Sequence, residues 1–312
     1  MSKSTYSNEL SHIAKTRICS DRNIILHDRS IYNDSGIYFN FNELIDNKFK
    51  ILLIGSEDIS NPYFGGFFFF LGTFPDQYPF FPPNILARTQ GEGTRFHPNF
   101  YVSGKCCLSI LGTWTGPPWT SCQNIGTVAL VLKSLFIENP ITQEPGFENC
   151  IDNRAIMYNK VIEYRTLKIA VIDMLNNPPS IFECFLPIME QKFIELYPKF
   201  NEKLNNLMEY NNKTFKSPIY NRNNSMNVYY DIISLKTIFL DKYNELIEKY
   251  NIGKHKENIP INKSKIKYKR VSPNELAKLY NIGYKKISEN DNNLWIVKET
   301  KQGIKKWVKC KK

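Results

Sequence analysis

The 312-residue chain has no pair of cysteines at CxxC spacing and only four scattered histidines, so nothing in it reads as a structural zinc site. Its seven cysteines, at 19, 106, 107, 122, 150, 184 and 310, are odd in number and follow no framework of spacings. That excludes the stapled scaffold of a small secreted domain. No apolar run is long enough to span a bilayer, since the longest, around IGTVALVLKSLFI, is interrupted by Lys133. The opening residues MSKSTYSNEL lack the apolar core of a signal peptide. These absences predict a soluble, intracellular protein with no membrane partner. Its cysteines should be free thiols, most of them core filler and one open to reactivity.

Charge is plentiful but lopsided. Of 41 basic and 30 acidic residues, 17 and 5 fall in residues 254–312, a balance of +12 where the whole chain carries +11. Residues 1–253 therefore come to −1. A near-neutral body argues against nucleic acid as its substrate. With 42% hydrophobic and 14% aromatic residues there is enough apolar material for a sizeable core, and the length fits one domain with additions.

Along the chain, NELSHIAKTRI at 8–18 reads as a short amphipathic helix. Strand-like runs follow at 36–41, 49–55, 67–74 and 84–89, with NPYFGG as a turn between the second and third, which predicts an antiparallel meander. Residues 91–120, rich in Gly, Pro and Trp, show no sustained period and read as a long ordered loop, the kind that more often carries function than not. Ile125, Val128, Ala129, Leu132, Leu135 and Phe136 then mark a buried helix ending before Asn139-Pro140. Met157, Val161, Tyr164, Leu167 and Val171 mark a second, stopped at Asn177-Pro178-Pro179. Further helices are predicted over 181–210 and 228–250, with the Asn-rich 211–227 as a flexible connection. Residues 254–270 read as a lysine-rich linker and 271–312 as a small separate module, helical at SPNELAKLYN and then stranded at KKIS, LWIVKE and KKWVKC. The order of elements makes the fold α+β with helical additions.

The long loop contains RFHPNFYVSGKCCLSILGTWTGPPW. His97-Pro98-Asn99 is followed, eight residues after the Asn, by Cys107 in CLSIL. This stretch resembles the active site of ubiquitin-conjugating enzymes. PYFGGFFFFLGTFPDQYPFFPPNI upstream resembles that family's strand–turn–strand block, and ENPITQEPGFE downstream its acidic segment. The GTWTGPPW insertion is similar to that of the large members with a helical C-terminal extension, the subgroup of the dual ubiquitin/FAT-ten enzyme and the giant inhibitor-of-apoptosis conjugating domain. The resemblance covers residues 5–150 strongly and continues more weakly to about 250. It implies a conjugating core at 1–150, a helical extension at 151–253, the basic linker at 254–270 and the module at 271–312.

For the chemistry, the resemblance implies that Cys107 accepts ubiquitin, or a ubiquitin-like protein, as a thioester. Asn99 would support the loop and the oxyanion, His97 would orient the loop rather than move protons, and Glu144 would position the incoming lysine. A thioester acceptor must be an accessible thiolate, and Cys107 follows the Ser103-Gly104 turn, where exposure is expected. Cys106 should point inward, since neighbours on an extended chain face opposite ways. Ser109 stands where many members have Asp, so lysine activation falls more on Glu144 or on a ligase. Trp114 and Trp119 read as packing anchors for the insertion. Phe80 matches the ligase-binding loop anchor, although the family's Pro-Ala pair is replaced around Trp119-Thr120 and Ser121-Cys122. Lys15 and Arg17 could meet an acidic activating-enzyme surface or be a plain solvated face. No bound cofactor is implied; ATP is consumed upstream by the activating enzyme, and protein substrates are the other partners. Localisation is expected to be cytoplasmic, with the nucleus as an alternative.

The tail resembles a small basic module found on proteins of large DNA viruses. Lysines interleaved with Trp295 and Trp307 could bind nucleic acid through phosphates and stacking. A solubilising tail and a docking surface for an acidic protein remain open alternatives. So does an inactive ubiquitin-binding scaffold, although family members of that kind lack the cysteine.

Overall fold

The computed structural model describes residues 10–41, 47–252, 282–283, 285–287, 294–299 and 305–309. The chain divides into two compact units, Met1–Lys254 and His255–Lys312.

The larger unit opens with α1 (His12–His27), whose first turn is closed by Ser11 accepting from the Ala14 N–H at 3.1 Å. The helix continues well past residue 18, on a buried stripe of Ala14, Ile18, Asp21 and Ile25 whose polar member breaks the apolar pattern. Asp21 accepts from the Tyr78 hydroxyl and from Arg17 Nε (2.7 Å), so a satisfied carboxylate fills a position where the sequence pattern calls for an apolar side chain. Arg17 also donates to the Ser121 carbonyl at 2.6 Å, which makes it a tie between α1 and the 121–123 turn rather than a free surface charge. Lys15 is exposed. A short α2 (Arg29–Asp34), not expected from the sequence, leads into the sheet.

The sheet is the predicted meander, β1 (Ile37–Phe41), β2 (Lys48–Ile54), β3 (Phe67–Thr73) and β4 (Asn84–Ala87), antiparallel in the order β1-β2-β3-β4. Its register pairs Ile37 with Leu53, Ile51 with Phe70, and Phe70 with Ala87. An antiparallel sheet with one wet face would alternate apolar and polar residues, yet β3 reads FFFFLGT and is buried along most of its length. Both faces are covered. Phe68 stacks on Phe136 at 4.4 Å and Phe70 meets Phe100 at 5.2 Å, whereas Phe69 stacks on Phe182 at 4.7 Å. Each such buried aromatic contributes about 2–3 kcal/mol of transfer free energy.

The first face is covered by Phe136, just after α3 (Ile125–Ser134), and by Phe100 of the long loop before that helix. Phe182 belongs to the helical additions. These are α4 (Asn153–Arg165), a π-helical stretch Thr166–Asp173, α5 (Met174–Asn176), a 3-10 turn Ser180–Phe185, α6 (Leu186–Asn206), a 3-10 turn Leu207–Tyr210 and α7 (Ile232–Lys249). They share one continuous hydrophobic core with the sheet. Two further features lock them down. Lys203 on α6 makes a buried ion pair with Glu163 on α4 at 2.6 Å. Gly65, at φ +64°, lies where a Cβ would stand 2.4 Å from the Phe200 ring, so only glycine fits the turn under α6.

Residues 211–227 depart from the expectation of a flexible connection. They carry β5 (Thr214–Lys216), paired with β6 (Asn227–Tyr229) in register Phe215↔Val228, and bury Phe215 and Met226. Among the described residues, no helix is long and apolar enough to cross a membrane.

The smaller unit holds a three-stranded antiparallel sheet of β7 (Lys285–Ile287), β8 (Leu294–Glu299) and β9 (Lys305–Lys309). Trp295, Val297 and Trp307 are buried together as its core. This corrects the stacking reading, because two tryptophans packed on each other's strands present no open ring face to a base. The expected linker over 254–270 and the helix at SPNELAKLYN lie outside the described residues.

Candidate active site

The long loop is organised by a tight hairpin. Tyr101 and Lys105 pair across it (Tyr101 N–H to Lys105 O, 2.9 Å), Phe100 bridges Cys106, and the Cys107 N–H donates to Asn99 O at 2.9 Å. Its turn closes at Gly104, whose φ of +91° and close approach to the Ala87 carbonyl admit no side chain. This register explains the eight-residue spacing. Asn99 and Cys107 are directly opposite each other, and the Asn99 side-chain amide donates to the Cys107 carbonyl at 2.6 Å. An amide nitrogen carries two N–H donors, so one remains beyond the bond to the backbone.

Adjacent positions on the hairpin face opposite ways. Cys106 lies in the core with Phe100, and burial pushes its thiol up to about 12; the neighbouring Cys107 adds to the shift and an Ala87 backbone contact opposes it. At neutral pH its thiolate fraction is on the order of 10⁻⁵. Cys107 stands outside that core cluster, but it is only 4% exposed, against the expectation of an open thiol. The GTWTGPPW insertion folds back on the cysteine segment, with Thr113 Oγ1 accepting from the Leu108 N–H (2.9 Å) and donating to the Cys106 carbonyl (2.8 Å). Thr113 has no counterpart in the sequence reading; a hydroxyl five residues after Leu108 gives no signal by itself.

The insertion's tryptophans divide. Trp119 is an anchor, donating from Nε1 to the Pro79 carbonyl at 2.6 Å beside the Tyr78 ring. Trp114 is 49% exposed and is not the packing anchor expected of it. Phe80, next to that Pro79 carbonyl, is exposed together with Phe81.

His97 is fully buried, and its Nδ1 accepts from the Asn99 N–H at 3.0 Å, so in the neutral ring Nε2 carries the proton. Burial, with help from Arg95, pushes its pKa down to about 3, and a contact with the Leu135 backbone opposes the shift only in part. A group held neutral in this way cannot exchange protons near pH 7, which fits an orienting role. It also sets an acid sensitivity. The folded state binds fewer protons than the unfolded state between about pH 3 and 6.5, so stability falls as pH falls through that window. Going from pH 7 to pH 5 should cost about 2 kcal/mol from this residue alone. Thermal unfolding at both pH values would check it: His97→Gln should flatten the difference, and an unchanged difference would remove His97 as its source.

Glu144 follows the 3-10 turn Pro140–Gln143 and is half-buried. Its carboxylate is engaged, with the Tyr220 hydroxyl donating to Oε2. Tyr220 sits on the hairpin of residues 211–230, and its ring covers the Arg95 guanidinium at 3.8 Å while Tyr101 covers the other contact at 3.9 Å. Arg95 in turn donates to the Pro98 carbonyl, and its own N–H donates to Met226 Sδ at 3.4 Å. Asn99, Arg95, Tyr220 and Glu144 thus form one connected set. Neither Arg95 nor Tyr220 was singled out by sequence reasoning. Ser109 packs against Gly116 of the insertion.

Residues 30–180 match the family model described as ubiquitin-conjugating enzyme. The ubiquitin-conjugating enzyme E2 Z of Danio rerio is 45% identical over 152 residues, covering 48% of this chain and 46% of that protein. A probable ubiquitin-conjugating enzyme, R521, of Acanthamoeba polyphaga mimivirus is 32% identical over 178 residues, 53% of this chain and 12% of its own length. The dual E2 ubiquitin-conjugating enzyme/E3 ubiquitin-protein ligase BIRC6 of Mus musculus is 28% identical over 226 residues, 67% of this chain and 4% of that protein. The chain therefore spans about half the length of its E2 Z relatives and a small part of the larger ones. Large members are among the relatives, as the GTWTGP insertion implied. On the family match, these identities and the Asn99–Cys107 hairpin together, residues 30–180 belong to the ubiquitin-conjugating enzyme family.

Proposed function

We propose that the protein accepts ubiquitin, or a ubiquitin-like modifier, as a thioester on Cys107 and passes it to a substrate lysine, alone or with a ligase. The observation that carries this reading is the hairpin that sets Asn99 opposite Cys107, with the amide on the cysteine's own carbonyl at 2.6 Å. In loading, the Cys107 thiolate attacks the activating enzyme's thioester and that enzyme's thiol leaves; ATP has been spent upstream, and no cofactor is needed here. In transfer, a lysine amine attacks the carbonyl carbon, an isopeptide C–N bond forms, Cys107 leaves as thiolate, and the amine's proton goes to solvent. Asn99 donates to the oxyanion between these states, and Glu144 orients the lysine. Phe80 offers the ligase contact, and the exposed apolar residues beside it suit that use. The setting is intracellular, cytoplasmic or nuclear. Incubated with ATP, ubiquitin and a panel of activating enzymes, the full chain should gain a ubiquitin-sized adduct that thiol reductant removes. No adduct with any of them would sink the proposal.

A second reading concerns the smaller unit. Lys298 lies directly opposite Lys306, and Lys285 pairs with Ile296 on the same sheet face; all three lysines are exposed. Like charges facing each other across strands repel, a cost that an anion between them relieves. Binding to the phosphates of nucleic acid, without base stacking, is the use this face supports best. With three phosphate contacts, affinity for a duplex oligonucleotide should fall about fortyfold between about 50 and 200 mM salt, and Lys298→Glu with Lys306→Glu should remove most of it. Salt-independent or undetectable binding would leave an acidic protein as the partner to seek.

A further inference from the structure

Resting on the conjugating-enzyme reading, we propose that Tyr220 is a positioning residue for aminolysis: its hydroxyl fixes Glu144 so that one carboxylate oxygen is held ready for the incoming lysine.

The geometry runs through the helical additions and not through the family-matched segment, since Tyr220 lies 40 residues beyond residue 180. The phenol donates to Oε2 and leaves Oε1 without a hydrogen-bond partner among the described residues, so the carboxylate loses its rotational freedom but keeps an acceptor. Burial and the Glu144 contact both raise the Tyr220 pKa, so the hydroxyl keeps its proton and remains a donor. The Tyr220 ring is fixed as well, because it covers Arg95, which is bound to the Pro98 carbonyl next to Asn99. The hairpin is anchored independently by Met226, buried against the Arg95 N–H, and by Arg165, whose Nη2 donates to the Asn227 carbonyl at 3.1 Å. Carboxylate, amide and cysteine segment are thereby referred to one rigid frame, which is what an attack on a small electrophilic carbon requires. The buried Tyr158 hydroxyl, without a hydrogen-bond partner among the described residues, is in electrostatic reach of both Arg95 and Glu144.

The test uses the full chain, charged and then freed of activating enzyme, so that loading does not enter the measurement. Tyr220→Phe keeps the ring over Arg95 and removes only the hydroxyl. The lysine concentration for half-maximal discharge should rise roughly fivefold, the worth of one hydrogen bond, with the maximal rate much less affected. Glu144→Gln should show the same direction of change, and adding Tyr220→Phe to it should cost nothing further, because the two act as one unit. A merely structural role would lower the maximal rate and melting temperature and leave the lysine dependence alone. The proposal is overturned if Tyr220→Phe discharges like the parent or faster, if its effect adds to that of Glu144→Gln, or if Glu144→Gln itself is silent. Failure of the parent protein to charge at all is a different result and counts against the thioester on Cys107 instead.

Discussion

Replacing Cys107 by Ser is expected to turn the reductant-sensitive adduct into an oxyester that survives thiol and is cleaved by base. The corresponding Cys106→Ser variant should still form the labile thioester. The argument rests on the hairpin. Consecutive residues on paired backbone face opposite ways, and the core claims Cys106, whose thiol is pushed up to about 12 by burial. A serine there replaces a buried thiol that donates only weakly, to the Gly104 carbonyl at 3.7 Å, so some stability is lost but no nucleophile is. At Cys107 the substitution exchanges the attacking atom itself. Gel mobility with and without reductant reads the result directly, and Cys107→Ala should show no adduct of either kind. If Cys106→Ser abolishes charging while Cys107→Ser leaves a thioester, the register of the site is wrong by one. Because Cys107 is only 4% exposed, loading also requires local opening around the thiol. Thr113→Val, which removes the hydroxyl's contacts with the Leu108 N–H and the Cys106 and Leu108 carbonyls, loosens the neighbouring segment without touching the nucleophile, and faster charging is the expected result.

What could be read from the sequence follows from how local each signal is. The meander was legible because strand runs, turn residues and hairpin spacing all lie within a few residues of one another. The eight-residue step from Asn99 to Cys107 was legible for the same reason: it is the register of one tight hairpin. The burial of Cys107 was not, since the turn before it argues for exposure and local sequence gives no measure of what packs over a side chain. FFFF in β3 did carry a signal that went unused. A strand apolar on both faces needs a layer on each side, and the second layer proved to be Phe182 from the additions.

The Asn-rich stretch misled in an instructive way. Asparagine suits disorder by composition, but it also tolerates left-handed backbone and bonds to nearby main chain. Asn212, Asn223 and Asn224 all adopt positive φ here, and Asn221 closes its own turn through Met226 N–H at 3.0 Å and Asn227 at 2.7 Å. The segment that looked like a tether is thus an ordered hairpin, and it delivers Tyr220 to Glu144. In α1, likewise, the buried Asp21 hid the second half of the helix, because pattern reading has no way to know that Tyr78 and Arg17 will satisfy it.

Asn99→Ala should slow discharge of the charged protein to lysine by on the order of a hundredfold or more, and slow charging far less. The Asn99 amide has two N–H groups, and only one is used on the Cys107 carbonyl, so the structure allows it two separable functions. Bracing the hairpin is the first. Its loss removes one hydrogen bond worth about 1 kcal/mol, which should appear as a modest drop in melting temperature and a similar small effect on both half-reactions. Donation to the oxyanion is the second, and it matters most where the nucleophile is a neutral amine attacking a thioester, because negative charge then collects on an oxygen with few other donors. Loading is less demanding, since one thioester is exchanged for another of similar energy and the activating enzyme supplies groups of its own. Single-turnover rates for the two half-reactions, measured on the same preparation, separate these roles. Equal losses in charging and discharge would assign Asn99 to bracing alone. The oxyanion would then have to be met by another donor, since the Cys107 and Leu108 N–H groups are already bonded to Asn99 O and Thr113 Oγ1.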